Sequence, residues 1–349
     1  MTKTTTHETI GCDIGDKTSE ICVLQTNGRK VEAKLRTTPK AMKEFLGGRK
    51  PAHVVIEVGA HSRWLSQLIE ECGHRVTIAD PRRLKIISAS NTKTDRRDAE
   101  LLARLGRADE NLLSPVTHRS DQMQADLAVP KARDLLVAIR TKLVNHVRGV
   151  TKSFGIRLPT CSGGSFAQQT PAHLPAILKP AADPLYAVLE KVEETIREYD
   201  KQIEAVAERY SDTKVVSQPK GVGTLTALVF MLTIGDKDRI ARSRTAGAYL
   251  GLRPRQSQSG QCDPQLRITK AGDGFVRRLL VNCANYILGP FGPDSDLKRW
   301  GLGLAQRGGK NAKKRAKVAV ARKLAVLMHR LWVTGEVYQA IGHGRDAVA

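Results

Sequence analysis

What this chain lacks narrows its work before any motif is read. No apolar run approaches the length of a membrane span, so a membrane partner is not expected. The opening residues 1–9 are polar and lack the apolar core of a signal peptide. The six cysteines (Cys12, Cys22, Cys72, Cys161, Cys262, Cys283) are scattered without a CxxC pair, which argues against a zinc site and against a disulfide framework. Reduced thiols in a reducing cytoplasm are the expectation. Aromatics make up only 4%, so stacking of bases on aromatic platforms is not expected to dominate binding. Acids are also scarce. Asp+Glu number 35 against 57 Lys+Arg, a formal net charge of +22, which makes a polyanion gripped through its phosphates the leading partner. At 349 residues there is room for two or three domains.

Within this basic background the acids that remain stand out. Residues 93–105 read KTDRRDAELLARL, and Asp95 and Asp98, three apart on a predicted helix, share one face. Neighbouring carboxylates repel, a cost commonly accepted where a divalent cation sits between them. The competing reading is a solvated helix whose acids pair with Arg96, Arg97 and Arg104. Upstream, residues 9–15 (TIGCDIG) read as a buried strand carrying Asp13. Strands at 20–25 and 30–36 follow, joined by the hairpin signal Asn27-Gly28. A short helix at 39–46, a strand at 53–58 bearing Glu57, a helix at 64–71 stopped by Gly73 and a strand at 75–79 complete the series. That order is the order of a ribonuclease H-like α/β fold. The competing readings are a turn residue for Asp13, before Gly15, and an edge charge for Glu57; against them, an acid within an apolar strand is costly without a partner. Together Asp13, Glu57, Asp95 and Asp98 offer an oxygen-rich ligand set suited to Mg²⁺ or Mn²⁺.

GCDIGDKTSEICVL, VVIEVGAHSRWLSQLIEECGHRVTIADPRRLK and NTKTDRRDAELLARL, in that order over residues 9–107, resemble the N-terminal domain of the DEDD transposases of bacterial insertion sequences. The resemblance implies a RuvC-like domain over 1–114 whose metal ligands and catalytic acids are Asp13, Glu57, Asp95 and Asp98. Asp16, Asp80 and Glu100 fall off the motif.

Residues 115–129 read as a connector between the breakers Pro115 and Pro130. A basic helix over 131–149 carries Leu135, Ile139, Leu143 and Val147 at every fourth position, with Arg133, Arg140, Lys142 and Arg148 elsewhere around it. It suits either nucleic acid or docking on a neighbouring domain. Residues 160–180 are rich in Ser, Gly, Pro and Ala and read as a linker. Residues 184–209 then place Leu185, Leu189, Val192, Ile196, Tyr199, Ile203 and Val206 at alternating spacings of four and three, the seam of a coiled coil. The expectation is a homo-oligomer, a dimer or tetramer, joined by this seam; a hairpin with the basic helix is the other way to fill it. The resembled transposases also have a coiled coil between their two domains. The whole of 115–211 is thus a helical connector.

The last segment, 212–349, is expected to be mainly helical. Residues 217–227 (SQPKGVGTLTA) form a glycine-rich turn entering a helix, similar to a helix-hairpin-helix grip on DNA backbone, with Lys220 beside it. It is not a Walker loop, because the GK[ST] ending is missing. GLRPRQSQSG, RITKAG and VRRLL resemble the serine-bearing block of the same transposases. The resemblance puts the nucleophile at Ser259, the serine directly before the glycine, with Ser257 as runner-up. Read alone, Ser259 is a turn serine. Arg253, Arg255, Arg267 and Lys270 are placed to neutralise a phosphate. Residues 307–323 (RGGKNAKKRAKVAVARK), with Lys310, Lys313, Lys314 and Arg315, form the densest basic run and read as a nucleic-acid contact or a solvated stretch.

The resemblance implies a Mg²⁺-dependent DNA recombinase that moves an insertion sequence, acting on element ends and target DNA, guided by a noncoding RNA, in the bacterial cytoplasm near the nucleoid. The alternatives are a metal-only, junction resolvase-like nuclease with a structural Ser259, and a non-catalytic nucleic-acid-binding protein.

Overall fold

A computed structural model of the chain describes residues 7–80, 94–260, 262, 264 and 266–342. The chain divides into two compact units, Met1–His118 and Arg119–Ala349. The motif residues 81–93 lie outside the described residues.

Unit 1 is built on a five-stranded sheet. Its strands are β1 (Thr9–Ile14), β2 (Thr18–Leu24), β3 (Lys30–Arg36), β4 (His53–Glu57) and β5 (Arg75–Ala79), in the spatial order β3-β2-β1-β4-β5. The first three form an antiparallel meander; β1, β4 and β5 run parallel. Gly28, at φ +84°, makes the β2–β3 turn that Asn27-Gly28 signals. Alternation sorts the strand side chains onto two faces. Ile10, Cys12, Val54, Ile56 and Ile78 pack under α1 (Pro39–Leu46) and α2 (Ser62–Glu71), against Met42, Leu46, Leu65 and Ile69. Gly11, Cys22, Val55 and Ala79 face α3 (Asp95–Ala108), meeting Ala99, Leu102 and Ala103.

Contact between α3 and β1 is as close as backbone allows. A Cβ at Gly11 would lie 2.0 Å from the Ala99 carbonyl oxygen and 2.5 Å from the Ala103 nitrogen. At the other end of the helix, a Cβ at Gly106 would meet Val55 at 2.4 Å and lie near His53 and Thr9, where β4 and β1 begin. The helix therefore runs antiparallel to these strands, and its N-terminus points toward their C-terminal ends. Arg107 secures the far end by donating to the Leu24 and Gln25 carbonyls.

Unit 2 is helical. Its long helices are α4 (Asp121–Ser153), α5 (Lys179–Glu208), α6 (Thr224–Ile234), α7 (Gly274–Leu288), α8 (Asp296–Gln306) and α9 (Ala312–Thr334). The apolar α6 is buried against α7 and α9 through Phe230, Leu228, Leu280, Val320 and Leu324. Ion pairs Arg133–Asp200 (2.5 Å) and Arg140–Glu193 (2.6 Å) tie α4 to α5 as an antiparallel hairpin. The seam residues Leu189, Ile196, Ile203 and Val206 are buried within this single chain, so the hairpin filling of the seam is the one observed. Much of the basic face of 131–149 is likewise spent internally, since Arg148 donates to the Leu158 and Pro159 carbonyls.

Two local expectations are corrected here. The helix starts at Asp121 and continues through Pro130, which is buried. Near that proline, Asp126 is held by Arg209, Tyr210 and Gln122, so tertiary contacts outweigh the backbone hydrogen bond the ring removes. Residues 160–180 are more than a linker, because Phe166, Leu174 and Leu178 form a small core with Val147 and Leu189. Among the described residues no helix is long and apolar enough to cross a membrane.

Replacing Gly11 by Ala should destabilise unit 1 by roughly 3 kcal/mol or more, because neither the β1 nor the α3 backbone can yield; a thermal melt reads the loss. His53 provides a second test. Burial and the Arg75 guanidinium push its imidazole down from the ordinary 6.5 to about 4. The unfolded chain takes up a proton near pH 6.5 that the folded unit refuses until about pH 4. Stability is thus complete above that window and falls as pH drops through it, by roughly 2 kcal/mol after allowance for partial solvent access. His53→Gln should flatten this acid decline in melts taken across the window.

Candidate active site

Strand register and alternation bring two of the sequence-identified acids together. Cys12 lies beside Ile56 in the parallel β1–β4 pair, and Asp13 and Glu57 follow these residues directly. Each sits two residues beyond a strand position that faces α3, Gly11 and Val55, so both carboxylates lie on the α3 face at the same end of the sheet. Asp95 and Asp98 occupy the first turn of α3, and the helix direction aims that turn toward the same end. Asp98 is buried, Asp95 is exposed, and Asp13 and Glu57 are half-buried. Thr94 caps the helix by accepting from the Arg97 N–H at 3.4 Å. Among the described residues no three His, Cys, Asp or Glu side chains are close enough together to hold a metal ion. Asp13 and Glu57 at the sheet end and Asp95 and Asp98 on the first turn of α3 are all hard oxygen donors, a set that suits Mg²⁺ or Mn²⁺ by its chemistry.

Glu20 belongs to this end as well. It pairs in register with Asp13 across the β1–β2 ladder and shares the face of Cys22. Lys34 holds it at 2.8 Å. Its position depends on hairpin register, which composition does not reveal. Glu100 is turned aside by Lys30 (2.8 Å) and Arg104 (2.7 Å), as expected from its place around the helix. Arg96 pairs with Glu32, so part of the positive charge on α3 is tied to β3. Cys12, buried beneath this end, has its thiol pushed up to about 12 by burial and by the charge of Asp13, and is inert.

Ser259 lies in unit 2 at the tip of a narrow hairpin. Its two rails are joined by Lys270 N–H to Gly251 O (3.0 Å), Thr269 N–H to Arg253 O (2.8 Å) and Arg255 N–H to Arg267 O (2.9 Å). Alternation turns Ile268 inward against the core and puts Arg253, Arg255 and Arg267 on the opposite, exposed face. At the tip Ser259 and Cys262 exchange backbone hydrogen bonds of 3.1 and 3.0 Å around Gly260, at φ +56°. Ser257, Ser259 and Cys262 are all exposed.

The neck of the hairpin is rigid. Gly251 (φ +72°) has no room for a Cβ, which would lie 2.1 Å from the Ala271 carbonyl, and Lys270 is held at φ +56°. Arg277 donates to the Leu250 (3.2 Å), Ala271 (2.7 Å) and Gly272 (3.4 Å) carbonyls, gripping both rails where they leave the core.

Nine cations identified from the sequence are exposed, namely Lys220, Arg253, Arg255, Arg267, Lys270, Lys310, Lys313, Lys314 and Arg315. Lys220 adjoins Gly221 (φ +99°) and the start of α6, where Gly223 offers no side-chain cap. Lys313, Lys314 and Arg315 crowd the first turn of α9, which has no acid. Cations at a helix N-terminus oppose the macrodipole, a cost that a bound anion reverses.

Arg277→Met should loosen the neck. Amide exchange over 253–269 is expected to accelerate while the helical signal of unit 2 is unchanged; equal exchange in both proteins would contradict the clamp.

Comparison with known proteins bears on both halves. A DEDD-type family model described as "Transposase" matches residues 10–155, and one described as "Transposase IS116/IS110/IS902 family" matches residues 213–295. The transposase for insertion sequence element IS1111A of Coxiella burnetii is 30% identical over 95% of this chain and 91% of its own length. The transposase for insertion sequence element IS1328 of Yersinia enterocolitica is 28% identical over 94% and 98%. With both units matched in order and relatives aligned along nearly the whole chain, this protein belongs to the DEDD transposases of the IS110 family.

Proposed function

We propose that this chain cuts and rejoins DNA to move an insertion sequence, with residues 1–114, within unit 1, as a ribonuclease H-like, metal-binding domain. The helical connector over 115–211 and a transposase domain over 212–349 complete the machine. The observation that carries the reading is the common sheet end of Asp13 and Glu57, toward which the first turn of α3 is aimed. Asp13, Glu57, Asp95 and Asp98 are the residues that would hold Mg²⁺ or Mn²⁺. When bound, the ion supplies Lewis-acid polarisation of the scissile phosphate and neutralises its charge.

Ser259 is the proposed nucleophile. Its hydroxyl oxygen bonds to phosphorus as the scissile P–O bond breaks, the serine proton leaves to solvent, and the departing oxygen becomes a hydroxyl. The DNA strand stays esterified to the protein, so the bond energy is kept for rejoining when a new strand end attacks. Arg253, Arg255 and Arg267, fixed on one face of the hairpin, meet the charge that develops on the phosphoryl oxygens. Lys220, Lys270, Lys310, Lys313, Lys314 and Arg315 hold the nucleic-acid backbones. The basic surface also suits a guide noncoding RNA beside the DNA. Oligomerisation through the helical connector is part of the proposal; with the seam filled by α4, it would use the outer surface, where Leu135 and Val188 are exposed. A cytoplasmic setting agrees with the reduced cysteines expected there.

The test uses DNA spanning the element junction, the RNA transcribed beside the gene, and Mg²⁺, read on a denaturing gel. Wild type should give a covalent protein–DNA band and Ser259→Ala none. Asp13→Asn and Asp98→Asn should lower cleavage by roughly a hundredfold or more while leaving DNA binding intact. Free cut ends from an active Ser259→Ala would replace the recombinase with a metal-only nuclease, and cleavage indifferent to all three changes would leave only a binding protein.

A further inference from the structure

At the sheet end that carries Asp13 and Glu57, the loop after β4 holds a histidine that the proposed reaction does not yet use. The loop is stiff. Ser62, fully buried, donates its hydroxyl to the Gly59 carbonyl at 2.8 Å and accepts from the Gly59 N–H at 3.1 Å. His61 sits between these two residues, four positions beyond Glu57. Trp64 donates its indole N–H to His61 Nδ1 at 3.1 Å, with the two rings packed edge to face. An indole nitrogen can only donate, so Nδ1 is the unprotonated atom and the neutral imidazole carries its proton on Nε2.

That Nε2–H has no close acceptor among the described residues. The Asp16 carboxylate, in the loop after β1, is 3.6 Å away, beyond hydrogen-bond range, and its side chain is 90% exposed and free to swing aside. The His61 side chain is 30% exposed, so the donor is reachable from solvent. A fixed donor on the loop that follows Glu57 has an obvious use. Several carboxylates gathered at one sheet end repel a phosphodiester, and each donor directed there offsets that repulsion. A phosphate's non-bridging oxygens only accept, and a preset tautomer bonds to them without reorganising.

We infer that His61 is a substrate-binding donor, its Nε2–H bonding to a non-bridging oxygen of the phosphodiester, with Trp64 setting the tautomer. This rests on the reading of the same sheet end as the cleavage site. The test compares side chains that reach to different depths, in the full chain, with junction DNA, RNA and Mg²⁺. His61→Ala should slow single-turnover cleavage by roughly tenfold or more and weaken DNA binding by no more than about threefold, since it removes one contact among the many made to the phosphate backbone. His61→Gln, whose amide nitrogen reaches about as far as Nε2, should recover most of that rate; His61→Asn, which reaches only as far as Nδ1, should not. Trp64→Phe, which keeps a ring but loses the indole donor, should fall between. In metal-free buffer, the Nε2–H signal of nitrogen-15-labelled histidine should shift and exchange more slowly on adding the DNA.

Equal rates for His61→Gln and His61→Asn, cleavage by His61→Ala at the wild-type rate, or an unmoved Nε2–H signal would each overturn the inference. Asp13→Asn, run alongside, separates the failures. If it is inactive while His61→Ala is fully active, only the role of His61 falls. If Asp13→Asn itself cleaves normally, the reading of the whole sheet end falls with it.

Discussion

The seating of α3 on β1 is the constraint from which the carboxylate end follows. Gly11 lets the helix backbone settle directly on the strand, with Ala99 and Ala103 as the matching small residues. Gly106 does the same over β4. Two close approaches fix a line, and that line decides which end of the sheet the first turn of α3 faces. Were the helix reversed, Asp95 and Asp98 would lie beside Thr9 and His53 rather than toward Asp13 and Glu57. The ion pairs of Lys30 with Glu100 and of Arg96 with Glu32 hold the same orientation from the meander side. Their basic partners are exposed, which keeps the pairs weak, so they tune the packing rather than cause it.

In unit 2 a similar economy places the serine. A mostly buried helical core leaves one slender hairpin outside, and its neck is fixed by Gly251, Gly272 and the Arg277 guanidinium. The rails expose arginines on one face because Ile268 must turn the other way, into the core. Arg253, Arg255, Arg267 and Ser259 are thus presented on one hairpin, the arginines by ordinary alternation. At the described part of the tip, Ser257, Ser259 and Cys262 are exposed, as a group that meets a bulky polyanion must be.

Much of this was legible in the chain. The strands and helices of unit 1 could be read in order from apolar alternation and Asn27-Gly28, and the acids stood out because Asp13 and Glu57 interrupt apolar strands. Glu20 and His61 were not legible. Glu20 depends on hairpin register and His61 on a hydrogen bond to Trp64, and neither leaves a periodic trace. Pro130 misled because a buried contact network around Asp126 overrode a local helix breaker. The seam of α5 announced itself clearly, but its partner, the long helix α4, could be chosen only in three dimensions, where Arg133 meets Asp200 and Arg140 meets Glu193.

The central claim is that phosphoryl transfer passes through Ser259, and peptide mapping of the trapped complex tests it most directly. The complex formed with junction DNA, RNA and Mg²⁺ would be digested with nuclease and then trypsin, which cuts after Arg255 and Arg267 and isolates Ser257 and Ser259 on one peptide. The account predicts a nucleotide joined to that peptide, with fragmentation assigning it to Ser259. A nucleotide on any other residue, or an unmodified peptide from a reaction that has cut and rejoined DNA, would contradict it.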